Sequence, residues 1–239
     1  EIRGNTTVVV SELRPIPLYQ HVLIGQRLVD LFSKPGQVNP EILKLEREAM
    51  RKVHTDRHRR ERFGQNESRL SRADIIEKLN RENLLPAITF IFSRAGCDAA
   101  VNQCLNAGLR LTNSEERAEI TKTALYYTQN LAEEDLAVLG FDQWLSALER
   151  GIAAHHAGLL PSFKEAIEDL FKRGLIKAVF ATETLALGIN MPARTVVLEK
   201  LTKWNGEAHV PITPGEYTQL TGRAGRRGID IEGNAVVQW

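Results

Sequence analysis

From Ser71 onward the apolar positions alternate between two rhythms. The stretch Ile88 to Ser93 is nearly continuous in apolar residues, as a parallel strand covered on both faces requires, and Ile152–His156, Ile176–Thr182, Thr195–Leu201 and Asn234–Trp239 read as further strands. Between them apolar residues recur every three or four positions. Ile75, Ile76 and Leu79 form one such stripe, Ile120, Ala124, Tyr127 and Leu131 a second, and Phe163, Ala166, Ile167, Leu170 and Phe171 a third, so each marks a helix with one buried face. Ser71 is placed to cap the first helix, and the Ala-rich segment Ala95–Leu105 predicts another. The pairs Asn113 with Glu116 and Ser162 with Glu165 have capping-box spacing, and Gly174 after two cations marks a helix stop. Strands alternating with helices predict an α/β fold on a mostly parallel sheet.

Upstream the rhythm is weaker. Thr6–Val10 reads as a β-branched strand and Leu18–Ile24 as a second extended run beyond Pro15 and Pro17, so residues 1–32 lead into the domain. From Ser33 to about Leu70 apolar residues thin out, Lys34-Pro35-Gly36 and Asn39-Pro40 break structure, and basic residues crowd between Arg51 and Arg62. Residues 33–70 therefore predict a charged, mobile or partly helical surface insert, and residues 71–239 the α/β body. Arg51, Arg57, Arg59 and Arg60 offer a phosphate-binding set, but Glu46, Glu48 and Glu61 dilute it and no aromatic interleaves before Phe63. A solvated charged face is the expectation.

Composition narrows the class. With 239 residues and 43% hydrophobic content the chain can build a substantial core, and a net charge of +1 means that any nucleic-acid binding rests on a local track of groups. Only Cys97 and Cys104 occur; seven apart in a predicted helix, they suit neither a bridge nor a structural zinc site, so reduced thiols in a cytoplasmic protein are expected. No apolar stretch reaches the roughly twenty residues of a membrane span. Adjacent residues on a strand face opposite ways, so His155 and His156 are not assigned as metal ligands.

Two runs carry candidate chemistry. The first, QLTGRAGRRG from Gln219, sets Arg223 and Arg226 three apart, so that they share one helical face, with glycines admitting close approach. Two guanidiniums so placed suit a clustered phosphate oxyanion, although arginines at a helix end also satisfy carbonyls and complement the dipole. The second run, KAVFATETLALGINMP from Lys177, takes a strand to Thr182 and a short helix to Gly188 and Asn190. Ser93, His156 and Thr182 all fall at strand carboxyl ends, where ligands of open parallel sheets gather. Ser93, Arg94 and Thr182 can offer hydroxyls, amides or charge to phosphate, and each can equally serve as part of a helix start.

Together these runs resemble motifs VI and V of superfamily 2 helicases. ITFIFSR from Ile88 resembles motif IV, and HHAGLLP from His155 resembles the HHAG element of the Ski2-like branch. With four motifs in family order, the chain is identified as the second RecA-like domain of a Ski2-like helicase of the bacterial, HelY-like kind. The resemblance implies a RecA-like three-layer αβα domain. It implies that Arg223 and Arg226 are arginine fingers, that Gln219 joins them at the γ-phosphate of ATP, and that Gly188 and Asn190 approach the nucleotide or brace its loop. Ser93, Arg94, His156, Gly158 and Thr182 would lie along the backbone of single-stranded RNA or DNA. No Gly-x-x-x-x-Gly-Lys-Ser/Thr loop and no DExH motif occurs. The implied partner is therefore the first RecA-like domain of the same parent chain, which would hold most of the Mg2+ coordination, and this piece alone is expected not to hydrolyse ATP. Two other readings stand beside it: a non-catalytic nucleic-acid-binding or scaffold module, and the same half of a related DNA-repair helicase. The segment ETLALGINMPA from Glu183 looks closer to the RNA-processing members.

Overall fold

The apolar runs become the buried centre of one sheet. The computed structural model describes residues 14, 16–48, 70–185, 191–204 and 206–239. Strands β1 (Leu18–Ile24), β5 (Ala87–Phe90), β6 (Ile152–His155), β7 (Ala178–Ala181), β8 (Thr195–Leu198) and β11 (Gly233–Gln238) run parallel in the order β1-β11-β8-β5-β7-β6. A short β2 (Arg27–Asp30) pairs antiparallel outside β1. Every residue of β5, β7 and β8 is buried, as a strand covered on both sides must be.

Side chains alternate across this sheet into two cores. On one face Ile88, Phe90, Val179, Val196 and Leu198 meet residues of α4 (Ser114–Thr128), α7 (Pro161–Lys172) and α8 (Pro214–Thr221). On the other, Ala87, Phe180 and Val197 meet Ile76 and Leu79 of α2 (Arg72–Arg81) and Cys97 and Cys104 of α3 (Arg94–Asn106). The result is the three-layer αβα arrangement of a RecA-like domain. Short helices α5 (Glu133–Val138) and α6 (Phe141–Leu148) lie between α4 and β6. Both cysteines are free thiols, and burial pushes each up to about 12, Asp98 adding to the effect at Cys97.

Local signals account for most helix starts. Ser71 and Asp74 form a reciprocal capping box at α2, and Asn113 with Glu116 form the one expected at α4. The box expected from Ser162 and Glu165 does not form: Pro161 occupies the first helical position, Leu160 precedes it, and no side chain caps the turn. A proline there needs no N–H partner and already has helical φ, so the helix begins earlier than the Ser162 signal implies. The five-residue stripe of α7 is buried as expected, and Gly174 follows the helix with φ of +73°.

The charged stretch from Ser33 opens as regular structure. β3 (Phe32–Lys34) and β4 (Gln37–Val38) make a small hairpin, and residues 40–48 are helical, here α1. Asn39-Pro40, read as a break, is a helix start: the Asn39 side chain accepts from the Glu41 N–H at 3.0 Å. Ile42 and Leu45 then pack on Val22 and Ile24. The strand expected over Thr6–Val10, and the arginines between Arg51 and Arg60, lie outside the described residues.

Leu170 is fully buried in α7 while Lys172 is exposed. Leu170→Ala should cost about 2–5 kcal/mol in urea unfolding with an unchanged m-value, whereas Lys172→Ala should stay within about 0.5 kcal/mol.

Candidate functional site

Because β5, β6 and β7 are parallel, their carboxyl ends share one edge of the sheet, and the loops leaving them meet there. Ser93 caps α3, its Oγ accepting from the Gly96 N–H at 3.1 Å, and Arg94 stands exposed in the first turn. His156, just past β6, is 5% exposed. Its Nδ1 accepts from the Gly158 N–H at 3.1 Å, so the ring proton sits on Nε2, which donates to Asp98 Oδ1 at 3.0 Å. The ring thus ties the loop to α3. A Cβ at Gly158 would come within 3.1 Å of that ring and 3.4 Å of Arg94 Cδ, so glycine lets the loop close over the helix start. Ser93, Arg94, His156 and Gly158 form one cluster, in which the exposed groups are Ser93, Arg94 and Gly158 and the histidine lies beneath them. Thr182 adjoins it, its N–H donating to the His155 carbonyl at 3.3 Å and its hydroxyl paired with that of Thr184. His155 faces away, 3.1 Å from Glu168. Burial lowers its pKa, and the hydrogen bond to Glu168 offsets only part of the shift.

The glycine- and arginine-rich run lies elsewhere. Helix α8 starts on a Thr213–Glu216 capping box and stops at Thr221, so Arg223 and Arg226 do not share a helical face as their spacing suggested. The backbone leaves the helix because it is captured by another segment. The Ala193 N–H donates to Arg223 O at 2.9 Å and the Gly225 N–H donates to Ala193 O at 2.7 Å, a parallel bridge between Ala193 and Ala224. Gly225 then takes φ of +86°, a region open to glycine. The fit is tight: a Cβ at Gly225 would lie 2.8 Å from Ile16 Cγ2, and one at Gly233 would lie 2.7 Å from both Ala224 C and Gly225 N. Arg14 adds hydrogen bonds to the carbonyls of Ala224 and Thr221.

Arg223 and Arg226 therefore project from a pinned loop, both half-buried, while Gln219 is exposed on α8. Gly188 and Asn190 lie outside the described residues. Ala193 precedes β8 and Gly233 opens β11, so this loop sits at the amino-terminal edge of the sheet. The Ser93 cluster sits at the opposite edge, beyond the other ends of four-residue strands that are each about 13 Å long. Residues 213–226 run from one edge to the other, and the chain that leaves the carboxyl edge at Thr182 is at the amino edge by Ala193.

A hairpin of β9 (Thr202–Trp204) and β10 (His209–Pro211) was not foreseen. Its sequence signal is the Asn205-Gly206 dipeptide beside β-forming residues. Lys203 Nζ donates to Glu183 at 3.0 Å and to Glu216 at 2.5 Å, tying the hairpin to both crossing segments. Lys203, with the backbone and hydroxyl of Thr213, holds the Glu216 carboxyl at about 2. Ser93 and Gly96 line a groove of about 220 Å3 with Trp204 and His209 of the hairpin. Among the described residues no group of three His, Cys, Asp or Glu is arranged to hold a metal ion. None of their helices is long and apolar enough to cross a membrane.

Comparison with known proteins places this geometry. Residues 103–228, more than half of the chain, match the family model described as the helicase conserved C-terminal domain. Over its full length the chain is 58% identical to a probable helicase HelY of Mycobacterium leprae, of which it spans 27%. It is 39% identical, over 99% of its length, to a chloroplastic DExH-box ATP-dependent RNA helicase of Arabidopsis thaliana, covering 22% of that protein. It is 42% identical, over 69% of its length, to the antiviral helicase SKI2 of Saccharomyces cerevisiae, covering 13%. The chain thus spans about a quarter of the relatives it matches end to end.

Two measurements test the local physics. Gly225→Ala should cost about 1–3 kcal/mol in thermal or chemical unfolding, since alanine at this φ is strained and meets Ile16. Stability should also fall as pH drops below His155's ordinary value of 6.5, because the unfolded chain then binds a proton that the buried ring resists. His155→Gln should flatten that part of the pH profile.

Proposed function

We propose, from the premise that this chain belongs to the helicase conserved C-terminal domain family in its Ski2-like branch, that it is the second RecA-like lobe of an ATP-driven helicase motor. In this reading ATP lies between two lobes, and Mg2+ stays mainly with the first. Arg223 and Arg226, with Gln219, meet the γ-phosphate when the lobes close, and the two guanidiniums stabilise charge that grows in the transition state. Gly188 and Asn190 approach the nucleotide or brace the same loop. At the opposite edge Ser93, Arg94, Gly158 and Thr182 offer hydroxyls, amides and one cation to a phosphate backbone, over a loop shaped by His156. Groups of this kind read phosphates and shape, so they do not by themselves choose between RNA and DNA. Relatives named as RNA helicases favour RNA.

The observation that carries this reading is the pair of backbone hydrogen bonds joining Ala193 to Arg223 and Gly225. The segment that begins at the strand-contact residue Thr182 ends stitched to the loop that bears both arginines. Closure around nucleotide and movement of the strand contacts then belong to one connected body, which suits a motor that couples hydrolysis to translocation.

Single-turnover and steady-state ATPase assays of the full parent chain, with and without single-stranded RNA or DNA, test the proposal. Strand-stimulated hydrolysis is expected, and Arg226→Ala should lower turnover by about a hundredfold or more while leaving strand affinity largely intact. The 239-residue chain alone, without a phosphate loop or DExH motif, should show no magnesium-dependent ATPase activity. Normal turnover in Arg226→Ala would remove the finger role, and strand binding without any hydrolysis in the wild-type parent would point to a non-catalytic module.

A further inference from the structure

The Arg226 guanidinium is held by a partner that lies just beyond the run QLTGRAGRRG. Its Nε donates to Asp230 Oδ2 and its Nη2 to Asp230 Oδ1, each at 2.8 Å, while the Arg226 backbone N–H also donates to Oδ2 at 2.9 Å. The turn closes in the other direction too, since the Asp230 N–H donates to the Arg226 carbonyl at 2.9 Å and Gly228 takes φ of +79° between them. The Asp230 side chain is 4% exposed and that of Arg226 is 21% exposed. Burial raises the cost of charging Asp230, yet the hydrogen bonds from the Arg226 side chain and backbone outweigh it and keep the carboxyl below its ordinary value.

A guanidinium is a rigid planar fork with five N–H donors. Asp230 takes its side edge, Nε and one hydrogen of Nη2. The end edge, made of Nη1 and the outer hydrogen of Nη2, faces outward along the side chain, at an angle to the edge that the carboxylate holds, and keeps the geometry that binds two phosphate oxygens at once. A long side chain at the end of a loop loses much conformational entropy when it is fixed, and here that ordering is done before nucleotide arrives. We propose that Asp230 is a positioning residue for ATP hydrolysis: it grips the side edge of Arg226 so that the end edge stands ready for the γ-phosphate as the lobes close.

This rests on Arg226 being a finger, as proposed above. The opposite possibility is that the same ion pair withholds Arg226, so that the carboxylate competes with the phosphate. The two differ in sign.

In the full parent chain, Asp230→Asn should lower strand-stimulated kcat by about ten- to a hundredfold, with the KM for ATP and strand affinity changed little. Asp230→Glu, which keeps a carboxylate, should recover part of the loss. In an Arg226→Ala background, Asp230→Asn should cost nothing further, because there is no longer a side chain to aim. Unchanged or raised kcat in Asp230→Asn, or full additivity in the double variant, would overturn the positioning role. If Arg226→Ala itself turned over normally, the finger reading would fail instead. Thermal melts identify any variant that fails to fold, and in that case the Asp230→Glu measurement decides: a kcat below wild type but above that of Arg226→Ala, with intact strand binding, supports positioning, whereas wild-type or higher kcat excludes it.

Discussion

The contact on which the rest of this domain depends is one of backbone against backbone. The Ala224–Gly225 peptide lies so close to Gly233 that no side chain fits between them, and the same peptide bonds to Ala193. Hydrogen bonds between main chains do not depend on rotamers, so the position of this loop is set by the sheet itself. The sheet is in turn fixed by strands buried on both faces. What would otherwise be a mobile glycine-rich loop becomes an extension of the β8 and β11 frame, with Arg14 and Ile16 closing it from the chain's amino-terminal side.

A second consequence is the division of labour between the two edges of the sheet. Parallel strands gather the Ser93, His156 and Thr182 loops on one edge, and the crossing segments deliver the arginines to the other. Each edge has its own electrostatic solution. At the carboxyl edge the buried side chain of His156 is held between the Gly158 N–H and Asp98, and the exposed Arg94 stands above it. At the amino edge Arg226 meets a nearly buried carboxylate. With a net charge of +1 overall, the chain relies on such local placement rather than on a global field.

The strands and the long helices could be read from the sequence because burial on two faces and burial on one face leave different periodicities, seen most clearly in β5 and α7. Ends were harder. The strand over Ile88–Ser93 stops at Phe90 because Ser93 is needed as a helix cap, and α7 starts at a proline whose effect outranks the Ser162 signal. The arginine spacing was misleading for a physical reason: Arg223 and Arg226 are helix-compatible in sequence, but a partner far along the chain, Ala193, captures the backbone between them. Long-range pairing of this sort leaves no local mark. The Asp230 partner was four residues away and still unseen, since i to i+4 ion pairs are usually read as helical surface features and this one closes a turn. That Ser93, His156 and Thr182 share one rim was legible from their places at strand carboxyl ends, whereas the buried position of the His156 ring was not.

The two buried cysteines have a use unrelated to stability. Cys97 and Cys104 are the chain's only thiols, both sit in the core beneath α3, and both are held at about 12, so almost none is thiolate near neutral pH. To an alkylating dye the folded domain is nearly blank. A cysteine introduced on either edge of the sheet would therefore take a label without first stripping out the native ones, and the distance between the two edges and a neighbouring lobe becomes accessible to fluorescence on an otherwise unaltered core.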